Sequence, residues 1–259
     1  MKKIIFILLF IIFTLSLLAQ SLSVATFNVQ RLGVARKNIS YVSQILNLFD
    51  ITAIQEIQNL RVVEQLQREN PNLNFLVSKV SVGRGYKEYY GFSFNPKNVS
   101  LTEIGYYPGS GFMRPPYGAI ATVDHNTFLL ITVHIQFGKS QLIREQEIAQ
   151  LPNAISYFTS KEPNIKNIIL LGDFNIDSND TINYLLSPSS TKLFPVLDNS
   201  ILTTIGKNDY ANQYDKIYIS KNILSMVTSS GSIQIKNISL EAFKKSISDH
   251  RPVFMMLSI

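Results

Sequence analysis

Short runs of apolar and β-branched residues recur along the chain, and many of them end at a polar residue. More than ten such runs lie between residues 22 and 258, and helical patterns of apolar residues are interleaved among them. That number of strands is large for a single open sheet. The pattern therefore predicts an α/β domain in which two packed sheets are covered on the outside by helices.

The spacing of apolar residues predicts the individual strands and helices. Strands are predicted over residues 22–29, 51–57, 74–80, 88–95, 99–107, 117–124, 127–135, 167–173, 214–220, 231–235 and 252–258. Helices are predicted over residues 35–49, 60–70 and 140–160, and Pro152 interrupts the pattern of the last one. The strands at 117–124 and 127–135 form a predicted hairpin that turns at His125 and Asn126.

The first nineteen residues are predicted to be a cleaved secretory signal peptide. Lys2 and Lys3 precede an uncharged apolar stretch over residues 4–18, and small Ala19 follows it. A retained membrane anchor is the alternative, but a stretch of fifteen residues is shorter than the roughly 20 that span a bilayer. We therefore expect one domain over residues 20–259 that is secreted or periplasmic, monomeric and without stable membrane insertion.

Composition limits the partners and cofactors. Without Lys2 and Lys3, 22 basic residues remain against 18 acidic ones, and the net charge is +4. A mild basic excess favours a polyanionic partner, although many exported proteins are basic. The chain has no cysteine. A bound metal would therefore have oxygen or imidazole ligands, and oxygen-rich sites suit Mg²⁺, Ca²⁺ or Mn²⁺.

Polar side chains stand at the ends of several predicted strands and are the candidate functional residues. They are Asn28, Glu56, His134, Asp173 and Asn175 after strands, and Asp215, Asp249 and His250 at or before the start of strands. A single such residue is usually a turn former or a helix cap. The coincidence of several, including two of the three histidines in the chain, favours one shared site on rigid strand ends.

The segment LLGDFNID (170–177) carries two of these candidates with one residue between them. Side chains alternate from face to face along a strand. We therefore expect Asp173 and Asn175 to point to one side, with Phe174 turned to the other.

Six segments occur in an order and at a spacing that match a known family. They are TFNVQRLG (26–33), IQEIQ (54–58), VHIQFG (133–138), LLGDFNID (170–177), YDKIYIS (214–220) and ISDHRPVF (247–254). The chain thereby resembles the endonuclease/exonuclease/phosphatase superfamily. Two further segments, GYKEYYGFSFNPKNVS (85–100) and GFMRPPYGA (111–119), resemble its deoxyribonuclease I-like branch.

The resemblance implies both a fold and an activity. The fold is a four-layered α/β sandwich of two packed, mainly antiparallel sheets flanked by helices. The activity is divalent-metal-dependent hydrolysis of phosphodiester bonds in DNA, with little sequence specificity and contact mainly to the phosphate backbone.

The resemblance also implies a metal site. Glu56 is the main expected ligand, with Asn28 and Asp249 nearby and Mg²⁺ as the expected ion, Mn²⁺ or Ca²⁺ being alternatives. Asp173 and Asn175 are expected to hold the phosphate, a second metal or the nucleophilic water.

Four further residues are implied as the proton-transfer machinery. His134 and His250 form the expected proton-transferring pair, and Glu88 and Asp215 are the carboxylates expected to orient them. This division has a chemical basis, because imidazoles titrate near neutral pH and one can accept a proton while the other donates one.

Substrate contacts are implied for Arg114 and Tyr86. Further candidate phosphate contacts, each of which could equally be an ordinary surface charge, are Lys37, Arg84, Lys87 and Arg251. Gln58 departs from the family, since deoxyribonuclease I often has an arginine there that enters the minor groove. Arg31 or Arg61 could compensate for it.

Three other functions remain open at this point. A secreted sphingomyelinase of the same superfamily would share the hydrolytic residues, but it should carry an exposed aromatic-rich hairpin, and the chain has no tryptophan. A toxin subunit on this fold would need partner chains. A non-catalytic binding protein is disfavoured because every catalytic motif position is filled.

Overall fold

Twelve strands and seven helices alternate along residues 20–259, the part of the chain that the computed structural model describes. The strands are β1 (Ser21–Leu32), β2 (Ile51–Ile57), β3 (Asn74–Val77), β4 (Tyr89–Phe94), β5 (Ser100–Tyr106), β6 (Tyr117–Val123), β7 (Asn126–His134), β8 (Asn167–Asp173), β9 (Leu193–Pro195), β10 (Asp215–Ser220), β11 (Val227–Ser232) and β12 (Val253–Ser258). The helices are α1 (Ile39–Leu46), α2 (Arg61–Glu69), α3 (Gln141–Ile148), α4 (Leu151–Lys161), α5 (Asn179–Leu186), α6 (Lys221–Leu224) and α7 (Leu240–Ser246).

The predicted signal peptide, residues 1–19, lies outside the described residues. Within residues 20–259, none of the helices has the length and apolar character needed to cross a bilayer.

The strands form two six-stranded sheets. Sheet I has the order β11-β12-β1-β2-β4-β3, and sheet II has the order β5-β6-β7-β8-β10-β9. In each sheet one central pair is parallel, β1 with β2 and β7 with β8, and the remaining neighbours are antiparallel. This arrangement confirms the expected pair of mainly antiparallel sheets.

Three apolar clusters lie between four layers. The inner cluster joins the two sheets, with Phe92 of sheet I packed among residues such as Phe128 of sheet II. A second cluster packs α4 against the outer face of sheet II through Phe158. A third packs α1 and α2 against the outer face of sheet I, where Leu46 and Leu66 are buried. Burial of each such side chain is worth about 1.5–3 kcal/mol, so the layers are held mainly by apolar contact.

The strand directions bring the predicted site residues to one edge of the sandwich. The parallel strands β1, β2, β7 and β8 all end at this edge, and β4, β10 and β12 start there because they run antiparallel to them. His134 pairs in register with Asp173, and Asp173 with Asp215. Residues that are up to 222 positions apart in sequence, from Asn28 to His250, are thereby collected at one edge.

Several predicted elements differ in detail. The predicted helix over 140–160 is two helices, because Pro152 lies in the first turn of α4, where a missing N–H costs nothing. The hairpin turns at Asp124 and His125, one residue earlier than predicted, and Asp124 takes the left-handed conformation with φ of 50°. The predicted strand at 231–235 is shifted: β11 covers Val227–Ser232.

Gly172 allows β7 and β8 to approach each other immediately before the site. Its φ is +142°, a region that is essentially restricted to glycine. A Cβ built at this position would overlap the carbonyl oxygen of Val133, which is backbone and cannot rotate away. Gly172 therefore sets the spacing that places Asp173 beside His134.

We expect Gly172→Ala to destabilise the protein by about 3 kcal/mol, combining backbone strain with overpacking. The free energy of unfolding from urea titration measures this. Gly105→Ala separates backbone strain from overpacking. Gly105 has φ of +103° but no atom within 4 Å of a built Cβ, so this variant reports the strain alone. Gly231→Ala, whose nearest atom is 3.6 Å away, should change stability by less than about 0.5 kcal/mol. Equal stability of the Gly172 and Gly231 variants would contradict this account.

Candidate active site

An open pocket of about 470 Å³ lies at the edge where the strand ends meet. Nine of the eleven predicted site residues line it. The other two, Glu88 and Asp215, are fully buried and lie behind the two histidines. The structure thus brings all eleven residues together.

His250 forms the first imidazole–carboxylate pair. Its Nδ1 lies 2.8 Å from Asp215 Oδ2. Burial lowers the pKa of His250, but the charges of Asp215 and Asp173 outweigh burial and raise that pKa to about 10. The contact with Asp215 also fixes the orientation of the ring, so that Nε2 faces the pocket.

His134 forms the second pair. Its Nδ1 lies 2.9 Å from Glu88 Oε1 and 3.0 Å from Oε2. Arg114 shares this carboxylate, with Nε 3.2 Å from Glu88 Oε2. Burial lowers the pKa of His134, but the Glu88 carboxylate raises it and the net direction is upward. Glu88 therefore positions both the imidazole and the guanidinium.

One oxygen of Asp173 lies between the two imidazoles. Asp173 Oδ2 is 3.6 Å from His134 Nε2 and 3.7 Å from His250 Nε2. The two nitrogen atoms that face the pocket therefore converge on one carboxylate oxygen, within reach of a common reacting group.

Asn28 links the two sheets at this point. Its Nδ2 donates to Glu56 Oε1 at 3.1 Å and to Asp173 Oδ2 at 3.0 Å. Its Oδ1 accepts the backbone N–H of Gln30 at 2.9 Å. Asn28 is thus a hydrogen-bond bridge in this structure, and because its Oδ1 has a second lone pair, the predicted ligand role stays a prediction.

Glu56 is held at the rim in a strained conformation. Its φ is +63°, and its Oε2 accepts the backbone N–H of Arg31 at 2.8 Å. Gln30 and Arg31 also have positive φ, at 30° and 58°. Non-glycine residues in this region are costly and cluster at functional sites. The side chain of Glu56 is half-buried and borders the pocket.

Asn175 reaches the pocket by a route that differs from the predicted one. β8 ends at Asp173, so strand alternation does not extend to Asn175 and that reasoning was wrong. Asn175 instead adopts φ of +52°, and its N–H donates to Asp173 Oδ1 at 2.9 Å. Its Nδ2 donates to the carbonyl of Ile135 at 2.7 Å. The turn places Asn175 in the pocket and buries Phe174 beneath sheet II.

Three buried groups could hold a metal ion. Among the residues that the structure describes, Asp173, Asp215 and His250 offer ligand atoms within 4.8 Å of one another. This set shares only Asp173 with the predicted ligands. Asp215 Oδ2 already accepts His250 Nδ1, but Asp215 Oδ1 is buried without a hydrogen-bond partner. Asp249, another predicted ligand, borders the pocket with its side chain about one-third exposed.

Some site residues were not predicted from the sequence. Tyr214 and Phe137 line the pocket, and their ring centroids are 6.4 Å apart. Ser248 ties β1 to the histidine segment, because its Oγ donates to the Asn28 carbonyl at 2.6 Å and accepts the His250 N–H at 3.0 Å. Tyr214 and Ser248 each directly precede a predicted acidic site residue in the sequence, and this position could have been used to predict them as site residues.

Glu147 is a further unpredicted residue. It is a buried glutamate of α3 whose oxygens accept the N–H groups of Met113 and Gln136, both at 2.8 Å. Burial raises its pKa. It ties together the two loops that follow β5 and β7, the first of which carries Arg114.

The candidate phosphate contacts divide into two groups. Arg251 is a structural residue rather than a contact: its Nε and Nη1 donate to the carbonyls of Ile233 and Leu202, and it is almost fully buried. Lys37, Arg84 and Lys87 are at least partly exposed. Of the two arginines considered as replacements for Gln58, Arg31 lines the pocket and stacks on Tyr86 at 5.3 Å.

We expect His250 to stay protonated at about pH 8 in the metal-free protein and to titrate near pH 10. This pKa lies above the ordinary value of 6.5, so the protonated His250 stabilises the folded protein. That stabilisation is complete below about pH 6.5 and is lost as the pH rises toward 10. NMR titration of the imidazole carbons in chelator measures the pKa, with exposed His125 as the reference signal. Asp215→Asn should lower the pKa by more than about one unit. A midpoint near pH 6.5 in the unmodified protein would contradict the proposed pairing.

Known deoxyribonucleases resemble this chain over most of its length. No family model matches the chain. The chain is 25% identical over 275 residues to deoxyribonuclease-1 of Bos taurus, which covers 93% of this chain and 94% of that protein. It is 26% identical to a deoxyribonuclease of Thioalkalivibrio sp. (strain K90mix), over 97% of this chain and 75% of that protein.

Solved structures share the fold. An endonuclease/exonuclease/phosphatase family protein from Bacteroides thetaiotaomicron matches with a TM-score of 0.66 and 18% identity, over 92% of this chain and 97% of that chain. D. rerio TDP2, solved in complex with a single-strand DNA product, matches with a TM-score of 0.68 and 17% identity, over 92% of this chain and 99% of that chain. The chain is therefore similar in sequence to deoxyribonucleases and in fold to proteins of the endonuclease/exonuclease/phosphatase superfamily.

Proposed function

We propose that this phosphodiester hydrolase is a divalent-metal-dependent endonuclease that cleaves DNA with little sequence specificity. The observation that carries the proposal is the convergence of two imidazole–carboxylate pairs on Asp173 Oδ2, at 3.6 Å and 3.7 Å. Two oriented imidazoles facing one open pocket can supply the general acid and the general base for hydrolysis of a phosphodiester.

The imidazoles act on protons at their Nε2 atoms. One accepts a proton from the attacking water, and the other donates one to the leaving oxygen. Asp215 and Glu88 hold the rings in position and stabilise the protonated forms through Nδ1. Asn175 and Arg114, which line the same pocket, are placed to bind the phosphoryl oxygens.

Glu56 is the proposed anchor for the metal. Its carboxylate borders the pocket, whereas Asp215 is fully buried and already accepts His250 Nδ1. Asp249 and Asp173 supply further carboxylate oxygens at the same pocket. Mg²⁺ commonly takes one or two carboxylates and keeps several waters, so this donor set suits it, and Mn²⁺ and Ca²⁺ also accept oxygen ligands. When bound, the ion supplies Lewis-acid polarisation of the phosphoryl group.

DNA is the proposed substrate because the relatives are named deoxyribonucleases and TDP2 was solved with a DNA product. Arg31 and Tyr86 stack on each other beside the pocket and offer a cationic and an aromatic contact. The net charge of +4 over residues 20–259 is compatible with contact to a phosphate backbone.

Export and a monomeric state complete the proposal. The sequence of residues 1–19 has the layout of a cleaved signal, so the mature enzyme would be secreted or periplasmic, form one catalytic domain over 20–259 and not insert stably into a membrane. N-terminal sequencing and sizing of the exported protein would test this: a first residue of Gln20 and a monomeric mass are expected.

The rival functions have less support. Exposed large apolar side chains are separated from one another in sequence; the four most exposed are Tyr184, Leu48, Leu142 and Val80. This pattern gives no support to the aromatic-rich docking hairpin expected of a sphingomyelinase. A non-catalytic protein would have no need for two oriented imidazole pairs. A toxin subunit would require partner chains, and the relatives in sequence described above are deoxyribonucleases.

We expect purified mature protein to nick supercoiled plasmid in Mg²⁺ and to lose this activity in chelator. His134→Ala should reduce the rate by about 10²–10⁴-fold, since it removes one acid–base group. His125→Ala removes the exposed turn histidine and is the matched control, with an unchanged rate. Sphingomyelin liposomes assayed in parallel should release no choline phosphate. An intact plasmid under all metal conditions, or release of choline phosphate without nicking, would refute the proposal.

Glu56→Gln should weaken Mn²⁺ binding at least about tenfold, because it replaces the proposed anchoring carboxylate with a neutral amide. Mn²⁺ binding measured by electron paramagnetic resonance reads this without any cleavage assay. Glu64→Gln on α2 removes an exposed carboxylate outside the pocket and is the control, with unchanged affinity. Equal affinity of the Glu56 and Glu64 variants would exclude Glu56 as the main ligand.

A further inference from the structure

We propose that a basic groove beside the active site binds backbone phosphates of the substrate strand that lie outside the scissile position. The groove is formed by the end of β1, the loop that follows it and the end of α7, and its cations are Arg31, Arg36, Lys37 and Lys245. This inference rests on the proposed function, because the bound strand is the nucleic acid that the active site would cut.

The groove is continuous with the active-site pocket. It has a volume of about 660 Å³ and shares Gln30 and Arg31 with the pocket. When one phosphate of a DNA strand is at the reacting position, the rest of the strand must extend out of the pocket. The groove offers such an exit with four cations and no acidic residue along its lining.

The four cations are available for a ligand. Within residues 20–259, the charged side-chain group of each has no carboxylate oxygen within the 4.0 Å of a salt bridge. Arg31, Arg36 and Lys245 are exposed. Lys37 is half-buried, its Nζ donates to Gln30 Oε1 at 3.1 Å, and burial lowers its pKa.

Lys244, the adjacent lysine of α7, is not available for a ligand in the way that Lys245 is. Lys244 Nζ donates to the carbonyls of Ile205 and Gly206, at 2.7 Å and 3.1 Å, and is therefore engaged in holding the fold. Lys245, one residue later, has no hydrogen bond from its side chain to any of the described residues. The two lysines both lie in the last turn of α7, where positive charge is favourable, but only Lys245 opens into the groove.

The walls of the groove are held in place before any strand binds. The N–H groups of Val34 and Ala35 donate to the Arg31 carbonyl at 3.1 Å and 2.9 Å, which closes the loop after β1 into a tight turn. The N–H of Asn38 donates to the Ser246 carbonyl at 2.7 Å and ties this loop to the end of α7. Binding would therefore require little additional ordering of the backbone, which favours affinity.

A second groove with lysines provides a matched comparison. It contains Lys166, Lys192 and Lys221 and lies at the ends of β8 and β10 that are remote from the active site. β8 has 7 residues, so its far end, where this second groove lies, is roughly 20 Å from the active-site end of the same strand. Two of its lysines, Lys192 and Lys221, can be neutralised as a control for the loss of net charge alone.

The test compares Arg36→Gln/Lys245→Gln with Lys192→Gln/Lys221→Gln, each of which removes two positive charges. Binding of a fluorescently labelled DNA duplex is measured by anisotropy in chelator, which prevents cleavage, over a series of salt concentrations. Each lost phosphate contact should make the slope of log affinity against log salt shallower by about 0.9. We therefore expect the Arg36/Lys245 variant to bind at least about fivefold more weakly at low salt, with a slope shallower by about 1–2.

The control variant should keep the affinity within about twofold and the slope of the unmodified protein. Equal weakening by both variants would mean that only net charge matters and would overturn the proposal, as would an Arg36/Lys245 variant with unchanged affinity and slope. Single variants Arg36→Gln and Lys245→Gln, each expected to shift the slope by about 0.9, keep the test decisive if the double variant does not fold. Failure of the unmodified protein to nick DNA would instead reject the proposed function, so the two failures are distinguishable.

Discussion

A seam of buried hydrogen bonds joins the two sheets at the edge that carries the site, and the relative position of all site residues depends on it. Asn28 Nδ2 donates to Asp173 Oδ2, Gln55 Nε2 to Thr132 Oγ1 at 2.9 Å, and the His134 N–H to the Tyr90 hydroxyl at 2.8 Å. Each bond crosses from sheet I to sheet II. Apolar packing holds the sheets together but tolerates sliding, whereas a buried donor that loses its acceptor costs about 1–3 kcal/mol. The seam therefore fixes the registration of one sheet against the other.

Backbone strain is concentrated next to this seam. Of the six non-glycine residues with positive φ in the described chain, four border the pocket: Gln30, Arg31, Glu56 and Asn175. Such conformations persist only where surrounding contacts over-determine them. Glu56 is held by Asn28 and the Arg31 N–H, and Asn175 by Asp173 and Ile135. The strain thus directs polar side chains into the pocket from strands that would otherwise end in ordinary turns.

The sequence was sufficient for the features that follow from local periodicity. Apolar runs that end in polar residues predicted two packed sheets and placed Glu56, His134 and Asp173 at strand ends, as observed. Asn28 was also predicted near a strand end, but β1 continues to Leu32. Features that depend on tertiary contacts could not be predicted from the sequence. The orientation of the Asn28 amide is set by the Gln30 N–H, and the buried role of Arg251 by carbonyls of distant loops. The basic groove combines a loop near residue 36 with a helix near residue 245, and no pattern in the sequence pairs them.

The central claim is that the two imidazole pairs act as one unit around Asp173 rather than as independent contributors. A double-mutant cycle on single-turnover cleavage rates tests it most directly, with His134→Ala, His250→Ala and the variant carrying both substitutions. Groups that act as a unit show strongly non-additive losses, so the double variant should be no more than about threefold slower than the slower single variant. Losses that multiply, with each imidazole contributing its full factor in the absence of the other, would contradict the account.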